Sequence, residues 1–368
     1  VHDWDFSTNC TVNTISRQSN ELLVGGCFSL SHYYQRQRLM AYRASTGRVF
    51  NWHPLVNSSI LALEHTNSRL FVGGQFNDIS GTPHSGIARF DLSLLSDTAD
   101  TWDPGLFYQN NYYSVTIHDM TTNGSNLIIA GTFDSLGTVK RLNLAEVSQA
   151  DGSPTSWNPD MNGPVYCVAA QSGKVLAGGS FTRGSFRERY FIAGLRHSTK
   201  SVLDWKPTVN SAVYDLSVAG NRLYLAGGFS EVESVPRWGS AAYDFPSGTL
   251  SNWDPNFNVS FGNGTLYSIF ASGDKVYAGG TFNMAGISER NSVACVDTVT
   301  GSALSWNPSA NGNIRHINKS GNSMLLGGEH RFLKGAPRTH LAAIDSASGL
   351  LLEDFSPNPN ANVNDLLV

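Results

Sequence analysis

One hexapeptide, LAGGSF at 176–181, is nearly rewritten six more times along the chain, as LVGGCF, FVGGQF, IAGTF, LAGGF, YAGGTF and LLGGEH. With the glycine two residues before the aromatic as a ruler, the copies fall at Gly26, Gly74, Gly131, Gly179, Gly227, Gly280 and Gly328, in steps of 48, 57, 48, 48, 53 and 48 residues. A period near fifty residues means stacked supersecondary units, each unable to bury its apolar face alone. Other positions keep the same step. Tryptophan opens W-x-P 22 residues before the ruler glycine at Trp52, Trp157, Trp205 and Trp306, while Trp102 and Trp253 stand further back. Trp4 and Phe355 head degenerate copies at the two ends. An asparagine follows five residues after that aromatic in every copy but one, from Asn9 to Asn360. A cation follows ten residues after the glycine: Arg36, His84, Arg141, Arg189, Arg237, Arg290 and Arg338.

Within a unit, VYCVAAQSGKVLAGG and VYDLSVAGNRLYLAGG each hold two apolar, β-branched or aromatic runs about a Gly, Asn or Ser turn, which is the pattern of a hairpin. A third run follows the cation, then an Asp-x-x-[Ser/Thr]-Gly turn and a fourth run ending at the tryptophan. Four short antiparallel strands per unit with no helical periodicity predict an all-β chain, a seven-bladed β-propeller of four-stranded blades, which removes long open edges by radial repetition. Residues 1–368 then form a single domain of seven repeats with a partial eighth at 355–368. That last piece either closes the ring against the N-terminal segment or begins an eighth blade or second propeller.

Composition agrees with this. The chain of 368 residues exceeds what one core usually supports, but stacked blades escape that limit. A net charge of −4 without charge runs gives no footprint for nucleic acid or an anionic membrane, and no apolar stretch approaches a membrane helix. The first residue is Val and no leader precedes it, so the chain reads as processed or as an excerpt.

The repeated residues have structural readings. The paired glycines let backbones approach, Phe28, Phe76, Phe133, Phe181, Phe229 and Phe282 wedge between blades, and the proline fixes φ. The asparagine bonds its own backbone or takes the left-handed conformation, and the cations bond loop carbonyls or stack on tryptophan rather than forming a polyanion site.

The set W/F-x-P, an SGK or SGD turn, [V/L]GG-x-F, Arg and [I/V]A resembles the delta-sixty repeats of bacterial surface proteins. It is similar also to the ectodomain repeats of fungal cortical polarity-marker proteins. The resemblance covers essentially the whole chain and implies a propeller on a cell surface or in secretions, with no catalytic residues to carry over. Tryptophan at most W-x-P copies departs from the bacterial form.

If TVNTIS pairs with ELLVGG about a turn at Gln18-Ser19, paired residue numbers sum to 37, which sets Cys10 opposite Cys27 within disulfide reach. Cys167 and Cys295 lie in strand interiors as core thiols. No C-x-x-C or His-Cys spacing points to a metal or redox site, and no cofactor is implied. Glycosylation sequons stand at Asn9, Asn57, Asn123, Asn258, Asn263 and Asn318, three on the repeated asparagine and three in expected turns or an insertion.

Function is sought where the repeat breaks. Two links are long, with 29 residues from Trp102 to Gly131 and 27 from Trp253 to Gly280. Their stretches GLFYQNNYYSV and NFNVSFGNGTLY expose Phe107, Tyr108, Tyr112, Tyr113, Phe257 and Phe261. Neighbouring loops add Tyr33, Tyr34, Phe186, Arg187 and Trp238. Aromatics among Asn, Gln and Arg suit a module that binds a protein or glycan, and a homo-oligomer is compatible with it. The alternatives are a hydrolase or lyase using a central channel with His118, Asp119, Asp215, Arg315, His316 and Asp365, and a structural component of an extracellular matrix.

Overall fold

The computed structural model describes residues 8–366 apart from 19–20, 32–33, 44–47, 67, 95, 110–113, 172, 199–201, 246, 260–261, 354, 356–358 and 360. Among the described residues there is no helix. Seven sheets of long antiparallel strands follow the repeat. In the fourth, Val165–Gln171 pairs with Lys174–Gly179, whose other edge pairs with Ile192–Arg196. The equivalent first strands elsewhere are Val12–Gln18, Ile60–Thr66, Thr116–Asn123, Val213–Ala219, Thr265–Ser272 and Ile314–Ser320. The expected fourth strand is mostly a single bridge, such as Tyr42 with Val49 or Leu195 with Val202, and among the described residues only Thr249–Leu250 lengthens into a strand. These runs are short because the chain leaves at once for the next tryptophan, and in the third unit the bridging residue is Pro154, which has no N–H to donate.

The paired glycines are explained by two close approaches. A Cβ on Gly179 would overlap the carbonyl oxygen of Pro164 at the start of its own first strand, and the other ruler glycines meet the same obstacle. A Cβ on the glycine before it would strike the next unit: Gly25 meets Ile60, Gly73 meets Ile117 and Gly279 meets Ile314. The second strand is thus pinched between two first strands, which is why glycine recurs there.

Each apolar cluster spans two consecutive sheets. Leu23 and Leu39 of the first sheet pack with Trp52, Leu63 and Phe76 of the second, and the pattern repeats along the chain. The last cluster joins Leu341 of the seventh sheet to Val24 and Met40 of the first, through Val363 and Leu366. Segment 362–366 lies parallel to the first strand: Val12 N donates to Asn362 O at 2.7 Å and Asn364 N to Val12 O at 2.8 Å. Val363 meets Gly327 as Ile314 meets Gly279, so the start of an eighth repeat fills the place beside the seventh sheet.

Between second and third strands each unit inserts a small two-stranded ribbon, such as Arg183–Gly184 with Arg187–Glu188, which the sequence pattern merged into the third run. The recurring asparagine holds this ribbon instead of its own backbone. Asn162 Oδ1 accepts from Thr182 N and Arg183 N at 2.8 Å each, and Asn210 and Asn311 do likewise. The recurring arginines bond carbonyls, as in Arg189 to Glu188 O and Leu203 O at 2.6 Å each. Cys10 and Cys27 form a disulfide with a Cα separation of 5.5 Å. The hairpin register differs from the one that suggested it: the turn falls later, Gln18 pairs with Glu21, and a bulge after Val12 brings the sulfurs together.

Candidate functional site

Ruler glycines pair with the starts of the first strands, so the ribbons, the asparagine links and both long insertions share one face. The insertions add strands to the ribbons there, Leu106–Phe107 along Ser135–Leu136 and Phe257–Val259 along Met284–Ala285. Phe107 is 56% exposed, in the position where other units carry the capping asparagine. Phe186 is 82% exposed at a ribbon turn with φ 62°, and Arg187 beside it pairs with Asp204 at 2.9 Å. Two further ribbon side chains missed by the sequence reading are Ile287, 99% exposed, and Phe332, 43% exposed. Tyr108 and Trp238 are half-buried, Tyr108 against the cluster of Trp102.

Phe257 is a correction. It is buried with its ring 4.7 Å from Phe282, because four residues after the tryptophan is a core position that Val56, Leu106, Met161 and Val209 fill elsewhere. Tyr33, Tyr112, Tyr113, Phe261 and the side chains of Tyr34 and Asn263 lie outside the described residues. Of the sequon asparagines, Asn9 and Asn57 are exposed and cap ribbons, and Asn258 is half-buried. Asn123 ends a first strand with its amide on Glu146 Oε1 at 2.9 Å. Asn318 lies within a first strand instead of a turn, its amide donating to Leu366 O at 2.7 Å.

At the middle of this face the first strands enclose a cavity of about 280 Å³. Every first strand slips register near its start: Val165 pairs with Gly179 and Cys167 with Gly178, leaving Tyr166 unpaired. The same bulge recurs in the other six first strands. A bulge re-aims a side chain, and here the freed Leu61, His118, Tyr166, Tyr214, Tyr267 and Arg315 line the cavity. Four consecutive ones form an aromatic arc. The His118 and Tyr166 rings lie 5.2 Å apart, Tyr166 and Tyr214 6.2 Å, and Tyr214 and Tyr267 6.1 Å. Arg315 closes the arc with its guanidinium 4.1 Å from the Tyr267 ring centre, held by Glu329 at 2.8 Å. The sequence signal was present in VYC, VYD and LYS, but strict alternation does not single out a bulged position.

Directly after the bulge the seven first strands carry Thr14, Ala62, Asp119, Cys167, Asp215, Ser268 and His316, and Asp365 takes the same repeat position in the last segment. Asp119 Oδ2 accepts from Val168 N of the next unit at 2.7 Å, Asp215 Oδ2 from Ile269 N at 2.8 Å, and Ser268 Oγ from Ile317 N at 3.1 Å. These side chains staple neighbouring first strands. Burial pushes the Asp119 carboxyl up to about 8, with the charges of Asp365 and Asp215 adding to it. Burial likewise raises Asp215. Burial disfavours the charged forms of His316 and Asp365 too, but their ion pair at 2.7 Å outweighs it, raising the imidazole and lowering the carboxyl. His118 is held down to about 4 by burial and is neutral at pH 7. Among the described residues no three His, Cys, Asp or Glu side chains are grouped to hold a metal ion.

A family described as "Domain of unknown function (DUF5122) beta-propeller" matches residues 66–97. No curated protein matches the chain. Many solved structures are similar in shape, two of them as follows. The computationally designed Ika8 protein superposes with a TM-score of 0.54 at 11% identity, over 93% of this chain and 97% of that one. A chain of the mitotic checkpoint complex gives 0.56 at 10% identity, over 89% and 90%. At such identities the likeness concerns the fold. Antiparallel sheets without a helix among the described residues, with the family match, put the chain in the β-propeller class.

Proposed function

We propose that the chain is an extracellular binding module, a closed propeller of seven blades that recognises a protein or glycan on the face carrying the ribbons. Seven two-sheet clusters, the last joining the seventh sheet to the first, support the blade count. The Cys10–Cys27 disulfide supports an oxidising location and agrees with the likeness to surface-protein repeats. The observation that carries the reading is the set of large apolar side chains at the ribbons, Phe107, Phe186, Ile287 and Phe332, exposed where the fold requires none of them. Binding is favoured over catalysis because Asp119 and Asp215 are engaged by backbone N–H groups of adjacent strands. No helix of the described residues is long and apolar enough to cross a membrane.

The test is a quadruple variant, F107S, F186S, I287S and F332S, displayed beside the parent protein on arrays of glycans and extracellular proteins. The parent retains a partner that the variant loses at an unchanged melting temperature. Equal capture by both would overturn this reading.

A further inference from the structure

We infer that the aromatic arc at the cavity mouth is a binding site for a neutral saccharide unit, such as the terminal ring of a glycan. This rests on the reading of the chain as a binding module and names a second, central subsite apart from the ribbon tips. Three features of the arc point to a sugar. First, Tyr166, Tyr214 and Tyr267 present rings tilted by 39° and 32° to their neighbours, a curved platform rather than a packed core, and Tyr214 keeps 36% of its surface open. Such faces pack against the C–H face of a pyranose, an apolar body with polar edges, as they do against other amphipathic rings. Second, the polar groups on the arc are uncommitted. The Tyr214 and Tyr267 hydroxyls and the His118 ring nitrogens have no hydrogen-bond partner among the described residues, whereas Tyr166 reaches Ser180 Oγ at 3.1 Å. Pockets fix a ligand's orientation through a few placed groups of this kind around an apolar surface. Third, the volume of about 280 Å³ lies at the small end for ligand cavities, room for one ring and not for an extended chain.

The charges select against ionic ligands. A cation entering the arc meets the Arg315 guanidinium already stacked on Tyr267 and the His316 imidazole paired with Asp365 below it. An anion meets the Asp365 carboxylate and finds the Arg315 guanidinium already taken by Glu329. A neutral polyol meets hydroxyls, a neutral imidazole and aromatic faces, each of which it can use.

The experiment is ligand-observed NMR on the intact chain. The probes are methyl glycosides of neutral hexoses and N-acetylhexosamines at millimolar concentration, with tetramethylammonium and methyl glucuronide as ionic controls. At least one neutral glycoside should show saturable transfer, reduced tenfold or more in affinity by Tyr214→Ala or Tyr267→Ala. The ring-preserving variants Tyr214→Phe and Tyr267→Phe, which protect the fold, should bind several-fold more weakly than the parent. The variants at Phe107, Phe186, Ile287 and Phe332 should bind the glycoside unchanged. Absence of any glycoside signal, stronger binding of either ionic control, or indifference to the tyrosine variants would overturn the inference. If the glycosides fail but the ribbon variant loses a partner, the central subsite falls and the binding module stands. If the glycosides bind and the ribbon variant keeps every partner, the ribbon reading falls.

Discussion

His330 takes the place that phenylalanine holds in the other six units, two residues past the ruler glycine. It is fully buried and neither ring nitrogen finds a partner, so the imidazole serves as an apolar ring. Burial, with the nearby His340 adding to it, holds its pKa down to about 3. The folded value lies below the unfolded one, so protonation favours the unfolded chain. The stability associated with His330 is fully present above about pH 6.5 and is lost as pH falls toward 3, by up to about 1.4 kcal/mol per pH unit. His330→Phe should therefore raise the melting temperature at pH 7.5, relieving a buried unpaired polar group worth about 1–3 kcal/mol. The advantage should widen between pH 6.5 and 5. A gain independent of pH in thermal melts would show that the ring is solvated or paired. Phe186 raises the opposite question, since a bulky residue at φ 62° is strained and here is also exposed. Phe186→Gly should stabilise by about 0.5–1 kcal/mol, read by chemical denaturation, while weakening partner capture. Lower stability would mean that the ring packs on something in solution.

The ribbon hangs on one asparagine in the units of Asn9, Asn57, Asn162, Asn210 and Asn311, whose side-chain oxygens accept from ribbon N–H groups such as Ser29 N and Arg331 N, while Phe107 stands at that position in the third unit. Asn162→Ala removes the acceptor for Thr182 N and Arg183 N, a loss of about 1–2 kcal/mol by analogy with a helix cap. Hydrogen exchange should quicken in 182–188 and stay unchanged in the strand Val165–Gln171. Uniform acceleration through the whole sheet would contradict a local role. The repeat length, the hairpins, the glycine pairs and the carbonyl-binding arginines were legible in the sequence because each is a local pattern copied in six or all seven units. The ribbons were not, since two-residue strands such as Asp78–Ile79 and Thr82–Pro83 are too short to show alternation. The aromatic arc escaped for a related reason: Tyr166, Tyr214 and Tyr267 owe their direction to a bulge, and period-two counting assumes none. Phe257 misled because it lies beside an insertion while serving the repeat.

Six of the seven inter-sheet clusters are crossed by covalent chain, and the seventh is held by side chains and hydrogen bonds alone. That seam consists of Val363 and Leu366 packed with Ile15, Val24 and Leu341, the parallel pairing of 362–366 with the first strand, and the Asn364 amide on Asn13 Oδ1 at 3.0 Å. Leu366, Ile15, Leu63 and Ile317 occupy the same repeat position and are all buried, so their truncations remove comparable apolar area. Each should cost about 2–5 kcal/mol as a core truncation. Their consequences should nevertheless differ. A weakened cluster between covalently joined sheets re-forms at high effective concentration, because its partners cannot separate far. A weakened seam has no such link, and opening it exposes the edges of the first and seventh sheets together. Leu366→Ala should therefore lower the melting temperature more than Ile317→Ala. It should also release exchange protection in Val12–Gln18 and Ile314–Ser320 at denaturant concentrations where Val165–Gln171 remains protected. Equal losses from the two variants, with protection falling evenly around all seven sheets, would mean that the molecule unfolds as one body and that the seam has no special weakness.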